Sequence, residues 1–176
     1  MEWQQLITDI FVRMSQRLER VLDGLTVDDL NQRPGADCNS IGWIAWHLTR
    51  IQDLIITEIM EEEQLWIKDK WYAKFGRAPD PSDTGLGHSS EDVAAFRSPD
   101  GKTLLAYHRA VLEQSKRYTK NKLSETGLKR KSESSTLSSV NTVGARLVGV
   151  INDNLQHVGQ AAYIRGLLKG KGWLGV

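Results

Sequence analysis

The first third of the chain carries two stretches in which apolar residues recur at intervals of three and four. In residues 3–23 this spacing gives one apolar stripe, the pattern of an amphipathic helix. The stripe returns in residues 41–59, directly after Asn39 and Ser40, either of which can cap a helix N-terminus. We therefore expect two long helices. The short link between them predicts that they are antiparallel neighbours.

Two further helices are predicted in the second half of the chain. Ser98 and Pro99, a capping residue followed by proline at the first helical position, open the third helix, which extends to about residue 123. The fourth covers about residues 140–168. Between them, residues 124–139 contain six serines and few apolar side chains, which predicts a mobile connection.

Residues 64–99, between the second and third long helices, form the least regular part of the chain. Apolar and aromatic residues at 65–75 predict a short helix, and residues 76–87 are rich in Pro, Gly and Asp, which predicts a loop. Ser89 or Ser90 then caps a further helical turn. An insertion of this length is often a lid or a pocket wall, and a plain surface excursion is the alternative.

These elements together predict an all-α fold. No stretch has the alternating pattern of a confident strand, and the sequence has no internal repeat. Four long amphipathic helices favour a four-helix bundle with a long irregular insertion between helices 2 and 3. The length suits one domain that covers residues 1–176.

Composition and charge exclude several classes of function. The formal net charge is +1, so no strong positive field would attract nucleic acid or an anionic membrane. The N-terminus lacks an apolar signal segment, and no window is apolar enough to span a bilayer. The single cysteine, Cys38, cannot form an intrachain disulfide. We expect a cytoplasmic protein that binds neither nucleic acid nor membrane.

Three side chains are candidates for a metal site. Asp153 and His157 lie four residues apart on the fourth helix, so they share one face and can bind a single ion together. His47 lies among apolar neighbours on the second helix and is expected to point inward, where it would supply a third ligand. The ordinary alternative is a hydrogen-bonded Asp–His pair and a buried core histidine, and the spacing alone does not decide between them.

Two motifs resemble the DinB-like family. The first comprises GLT at 24–26, RPG at 33–35 and NSIGWIAWHL at 39–48, and the second is NDNLQHVGQ at 152–160. The resemblance implies a bundle with up-down-down-up helix order and a divalent metal held in the usual form by three histidines. On that pattern His47 is the first ligand and His157 the last.

Asp153 departs from the family pattern, because a histidine usually stands four residues before the last ligand. Aspartate also ligates hard and borderline metals, so we expect a retained site with an altered metal preference. Zn or Ni is expected first, and Fe or Mn second. Gln160 and His88 are candidates for substrate binding, Gln160 because it follows His157 by one turn and His88 if the loop folds over the metal.

The resemblance implies a metal-dependent enzyme that acts on a small molecule. Relatives include S-transferases and isomerases that use a low-molecular-weight thiol, and a hydrolase is a second form of the same hypothesis. No residue is assigned as a catalytic acid or base. The alternative function is a non-catalytic, stress-related binding protein that dimerises through an apolar helix face. A homodimer is expected in either case.

Overall fold

The structure is a computed structural model that describes residues 2–136, 141–170 and 172–173. Four long helices account for half of the chain, and the connections contain short helices and one small pair of strands. In chain order the elements are α1 (Trp3–Leu22), α2 (Val27–Asn31), α3 (Ile41–Met60), α4 (Leu65–Lys68), α5 (Trp71–Lys74), α6 (Ser90–Ala95), α7 (Gly101–Asn121), α8 (Glu125–Leu128), β1 (Lys131–Ser132), β2 (Asn141–Thr142) and α9 (Val143–Lys169).

The predicted all-α class is confirmed, with two differences of detail. Helix α7 is capped by Asp100, whose carboxylate accepts a hydrogen bond of 2.7 Å from the backbone N–H of Thr103. Ser98, the predicted cap, is instead held by α2, because its N–H donates to the side-chain carbonyl of Asn31 at 2.7 Å. Strands β1 and β2 pair antiparallel over two residues each, too short to leave an alternating pattern.

The serine-rich connection begins with an ordered turn. Ser124 caps α8 by accepting a hydrogen bond from the N–H of Gly127. Residues 137–140, where the fourth helix was predicted to begin, lie outside the described residues. Within the described part of the chain this helix starts at Val143, with Thr142 as its cap.

The four long helices pack as a ring in which α1 and α3 each contact α7 and α9. Helices α3 and α9 are antiparallel, since His47 faces His157 at one end and Glu58 pairs with Arg146 at the other. Helices α3 and α7 are parallel, because Thr49 contacts His108 and the later Gln52 contacts the later Ser115.

Helix α1 closes the ring. It is antiparallel to α7, since Glu19 pairs with Arg109 while Leu22 lies beside Gly101. It is parallel to α9, whose Arg165 donates to the carbonyl of Val21 near the C-terminal end of α1. Along the chain the four helices therefore run up, down, down and up.

The first two long helices, α1 and α3, are antiparallel as predicted. The prediction that they are also neighbours is wrong. Helices α1 and α3 lie diagonally across the ring, and their main contacts are with α7 and α9. Residues 23–40, which include α2, cover one end of the bundle, and α2 packs against α3. This link is long enough to cross the diagonal, so the distance along the chain did not determine which helices pack together.

The insertion between α3 and α7 is anchored by Arg50 and Asp53, both fully buried on α3. Asp53 accepts hydrogen bonds from the N–H groups of Leu65 and Trp66 at 3.0 and 2.8 Å, and from the hydroxyl of Tyr107 at 2.7 Å. It thereby caps the first N–H groups of α4 and ties this short helix to α3 and α7.

An aromatic cluster around Trp46 and Trp66 completes this anchor. Their rings meet edge to face at 6.3 Å, and Trp66 packs against Phe75 and Tyr107. The guanidinium of Arg50 lies 4.5 Å from the centre of the Trp66 ring.

None of the described helices is both long and apolar enough to cross a bilayer.

His108 on α7 generates a first prediction. Its ring is buried and its Nδ1 lies 3.0 Å from the hydroxyl of Thr49. Burial, reinforced by the charge of Arg109, lowers the pKa of His108 to about 4 from the usual 6.5. In the unfolded chain His108 becomes protonated near pH 6.5, whereas in the folded protein it stays neutral until about pH 4. Unfolding between these two pH values is therefore accompanied by the uptake of a proton.

We expect the free energy of unfolding to fall as the pH drops from 6.5 to 4, with a His108 contribution of up to about 3 kcal/mol. In His108→Gln this contribution is absent, and the free energy of unfolding depends less on pH in this window. Urea unfolding at several pH values measures both proteins. Equal pH dependence in the two would contradict the assignment.

Candidate metal centre

His47 is fixed in one orientation on the buried face of α3. Its ring is stacked on Trp43, with the ring centres 4.7 Å apart, and only 5% of the residue is exposed. Its Nδ1 lies 2.5 Å from the backbone carbonyl of Thr84, which can only accept a hydrogen bond. The ring therefore carries its proton on Nδ1, and the lone pair of Nε2 is left for a ligand.

Helix α9 brings the other two candidates together. Nε2 of His157 lies 3.5 Å from a carboxylate oxygen of Asp153, one helical turn earlier. Nδ1 of His157 lies 2.8 Å from the side-chain oxygen of Gln160 and donates to it. In the neutral ring that donates through Nδ1, Nε2 of His157 keeps a lone pair for a metal, the arrangement in which a ligating histidine is held by a hydrogen bond at its other nitrogen. When the ring is protonated, Nε2 also carries a proton and donates towards Asp153.

The two helices place all three groups at one point. One ligand atom each from His47, Asp153 and His157 lie within 4.8 Å of one another, and the two imidazole rings meet edge to face with centres 4.8 Å apart. The second carboxylate oxygen of Asp153 is buried and has no hydrogen-bond partner in the described part of the chain. A buried acceptor without a partner is costly, and a cation would satisfy it.

The surroundings of the two histidines shift their pKa values in opposite directions. Burial lowers the pKa of His47, and nearby His157 lowers it further, while the Thr84 carbonyl opposes both. Burial also acts to lower the pKa of His157, but the hydrogen bond and charge of Asp153 outweigh it, so the net pKa of His157 is raised. His47 is thus held as a neutral imidazole, the form that binds a metal.

The two residues predicted to contact substrate have different surroundings. Gln160 lies directly beside His157, as its spacing indicated. His88 lies against the rings of Trp43 and Trp46, and its Nδ1 accepts a hydrogen bond of 3.2 Å from the indole N–H of Trp43. Its Nε2 lies 3.9 Å from Asp83, so His88 helps to hold the loop in place beside His47.

Sequence reasoning missed the contribution of the loop and of a buried polar layer. The loop contributes the Thr84 carbonyl, a backbone group that no side-chain pattern reveals. The polar layer lies next to Asp153: Asn154 donates to the side-chain oxygen of Gln52 at 2.6 Å, and Gln52 donates to Ser115 at 2.9 Å. The position of these polar residues among apolar helix neighbours was the available signal.

The fold and the site together define an all-α protein with a His-Asp-His cluster between two helices. The chain belongs to the DinB superfamily, whose family model matches residues 10–161. It is also similar to a solved structure described as the conserved protein of a locus from Enterococcus faecalis. The identity is 30%, the match covers 97% of this chain and 99% of that one, and the TM-score is 0.86. No curated protein matches the chain.

The pair on α9 generates a second prediction. Because Asp153 keeps the pKa of His157 raised against the effect of burial, Asp153→Asn is expected to lower this pKa in the metal-free protein. The titration of the His157 ring, followed by NMR with chelator present, measures the change. Gln160→Ala serves as the comparison, since it removes only a neutral partner and should lower the pKa less. A His157 pKa that is unchanged in Asp153→Asn would contradict the pairing.

Proposed function

We propose that this DinB superfamily protein binds one divalent metal ion through His47, Asp153 and His157. The observation that carries the proposal is the convergence of three ligand atoms within 4.8 Å from two antiparallel helices, with one buried oxygen of Asp153 otherwise unpartnered. An ordinary Asp–His hydrogen bond accounts for the pair on α9. It does not account for the third imidazole or for the unpartnered oxygen.

The chemistry of the ligand set indicates the metal. Two imidazoles and one carboxylate favour Zn or Ni, with Fe or Mn as second choices. Three protein ligands leave coordination positions open, the feature of a catalytic rather than a structural site. The side chains of His157 and Asp153 are 17% and 35% exposed, so a small molecule can reach the ion from solvent.

The reaction that we propose is a metal-dependent transfer or hydrolysis on a small molecule, with a low-molecular-weight thiol as co-substrate in the transferase form. A bound divalent ion would lower the pKa of a coordinated thiol or water. The chain itself keeps His47 neutral through burial and fixes its tautomer through the Thr84 carbonyl. It balances charge with Asp153 and presents Gln160 beside the site as a hydrogen-bonding group. In this proposal Gln160 and the loop residue His88 contact the substrate.

A second candidate function is supported by an exposed apolar face on α9. This face consists of Val148, Leu155, Tyr163 and Leu167, each of which is more than half exposed. Large contiguous apolar patches mark interaction surfaces, and these four side chains lie on one helix. A homodimer formed through this face is compatible with the metal site. If the protein binds no metal, such a dimer would instead be a non-catalytic binding protein.

The metal proposal gives a third prediction. Untagged protein purified without chelator is expected to contain about one divalent ion per chain by elemental analysis. His157→Ala and His47→Ala each remove one of three ligands and should lose the ion. His108→Gln is the matched control, because that buried histidine lies on α7 and is hydrogen-bonded to Thr49.

No metal in the wild type, even after incubation with Zn, Ni and Mn, would sink the metal proposal and leave the binding protein as the better interpretation. A stoichiometric ion that survives in both ligand variants would place the metal elsewhere. An ion that is lost only in the ligand variants would justify a screen for thiol transfer and for hydrolysis.

The apolar face gives a fourth prediction. In a homodimer formed through α9, Leu155→Gln replaces one of the four exposed apolar side chains of this face and should raise the dimer Kd by tenfold or more. Val27→Gln, at an apolar position of comparable exposure on α2, should leave the Kd unchanged. Sedimentation equilibrium measures both, and a wild type that stays monomeric at high concentration would rule out the dimer.

A further inference from the structure

The segment that covers His47, residues 80–85, is held by a buried side chain of the same helix. Arg50 lies one turn after His47 on α3 and is fully buried. Its Nε donates to the carbonyl of Asp83 and one terminal nitrogen donates to the carbonyl of Pro81, both at 2.9 Å. These two bonds fix the backbone immediately before Thr84, whose carbonyl accepts from His47.

Arg50 is itself immobilised, so it gives the segment a rigid support. Its guanidinium donates to the side-chain oxygen of Gln64 at 2.9 Å and to the hydroxyl of Tyr107 at 3.2 Å, and it lies 3.6 Å from Asp53. A planar guanidinium presents its donors in a fixed geometry. One helix therefore supplies both the imidazole and the group that sets the position of its hydrogen-bond acceptor.

Gly85 allows this close approach. Its φ is +84°, and a Cβ there would lie 2.8 Å from ring atoms of Trp43 and of Trp46, and 3.1 Å from Nδ1 of His47. Any side chain would push the segment away from the imidazole. Gly87 also has a positive φ, +78°, but a Cβ there would meet no described atom within 4 Å. The two glycines share the same backbone demand and differ in what surrounds them.

We propose that Arg50 and Gly85 are positioning residues: they hold the Thr84 carbonyl against Nδ1 of His47, and so keep Nε2 of His47 unprotonated for a ligand. This inference rests on the proposed metal site for its purpose, but not for its first observable, the tautomer of a ring in the metal-free protein. If the carbonyl is displaced, the neutral ring is free to carry its proton on Nε2, and that form cannot ligate through the same atom.

The experiment compares Gly85→Ala with Gly87→Ala. Nitrogen-15 NMR of the metal-free proteins is expected to show His47 as the Nδ1–H tautomer in the wild type and in Gly87→Ala, and as a mixture in Gly85→Ala. Titration with Zn and Ni should then give a Kd that is 10–100-fold higher in Gly85→Ala, the size of effect that loss of a hydrogen bond to a ligating histidine produces, and a Kd within about threefold of the wild type in Gly87→Ala.

Arg50→Lys is the second variant. It keeps the charge but cannot donate in the same fork to the carbonyls of Asp83 and Pro81, so it should shift the His47 tautomer in the same direction as Gly85→Ala. The far-UV circular dichroism of each variant checks that the helices are retained. Comparison of tautomer with Kd separates an effect on the ring from a general loss of stability.

The outcomes separate this inference from the metal proposal. A wild type that binds no metal, but whose His47 tautomer shifts in Gly85→Ala, would sink the metal site and support the positioning role. His47 found as the Nε2–H tautomer in the metal-free wild type would overturn the positioning role without any variant. Equal tautomer and equal Kd in Gly85→Ala and Gly87→Ala would overturn it as well.

Discussion

The buried pair Arg50 and Asp53 on α3 is the interaction on which the rest of the site depends. Two charges without solvent access are costly unless their hydrogen-bonding capacity is met. Here Asp53 accepts from two backbone N–H groups and from Tyr107, and Arg50 donates to two loop carbonyls, to Gln64 and to Tyr107. Burial raises the pKa of Asp53, and these hydrogen bonds and the charge of Arg50 oppose that rise. The removal of either partner would leave an unpaired charge in the core.

This pair turns a long insertion into part of the bundle. Asp53 holds the start of α4, the aromatic cluster around Trp66 and Tyr107 covers it, and Arg50 holds the later segment that returns over His47. Without these bonds, only weak surface contacts would offset the conformational entropy that residues 61–98 lose when they become ordered. A chain of contacts thus connects the buried Arg50–Asp53 pair, through the backbone carbonyls of the loop, to Nδ1 of His47.

The other half of the site is simpler, because α9 alone sets it. The helical repeat places Asp153 and His157 on one face, and Gln160 follows on the next turn. Antiparallel packing of α3 against α9 then brings His47 to the same level. A buried hydrogen bond between Asn154 and Gln52 fixes the register of α3 against α9, because a shift by one helical turn would leave both amides unpaired in the core.

The sequence by itself determined the four long helices, because their apolar spacing and capping residues are local signals. It also determined the candidate ligands on α9, since i and i+4 share a face on any helix, and its motifs indicated the superfamily to which the chain belongs. Only the tertiary structure decided that α1 and α3 lie diagonally, because link length does not specify a packing partner. It alone revealed the Thr84 carbonyl beside His47, the support from Arg50 and the crowding at Gly85. Backbone acceptors look alike in a sequence, and which one meets a given side chain depends on the path of the whole insertion.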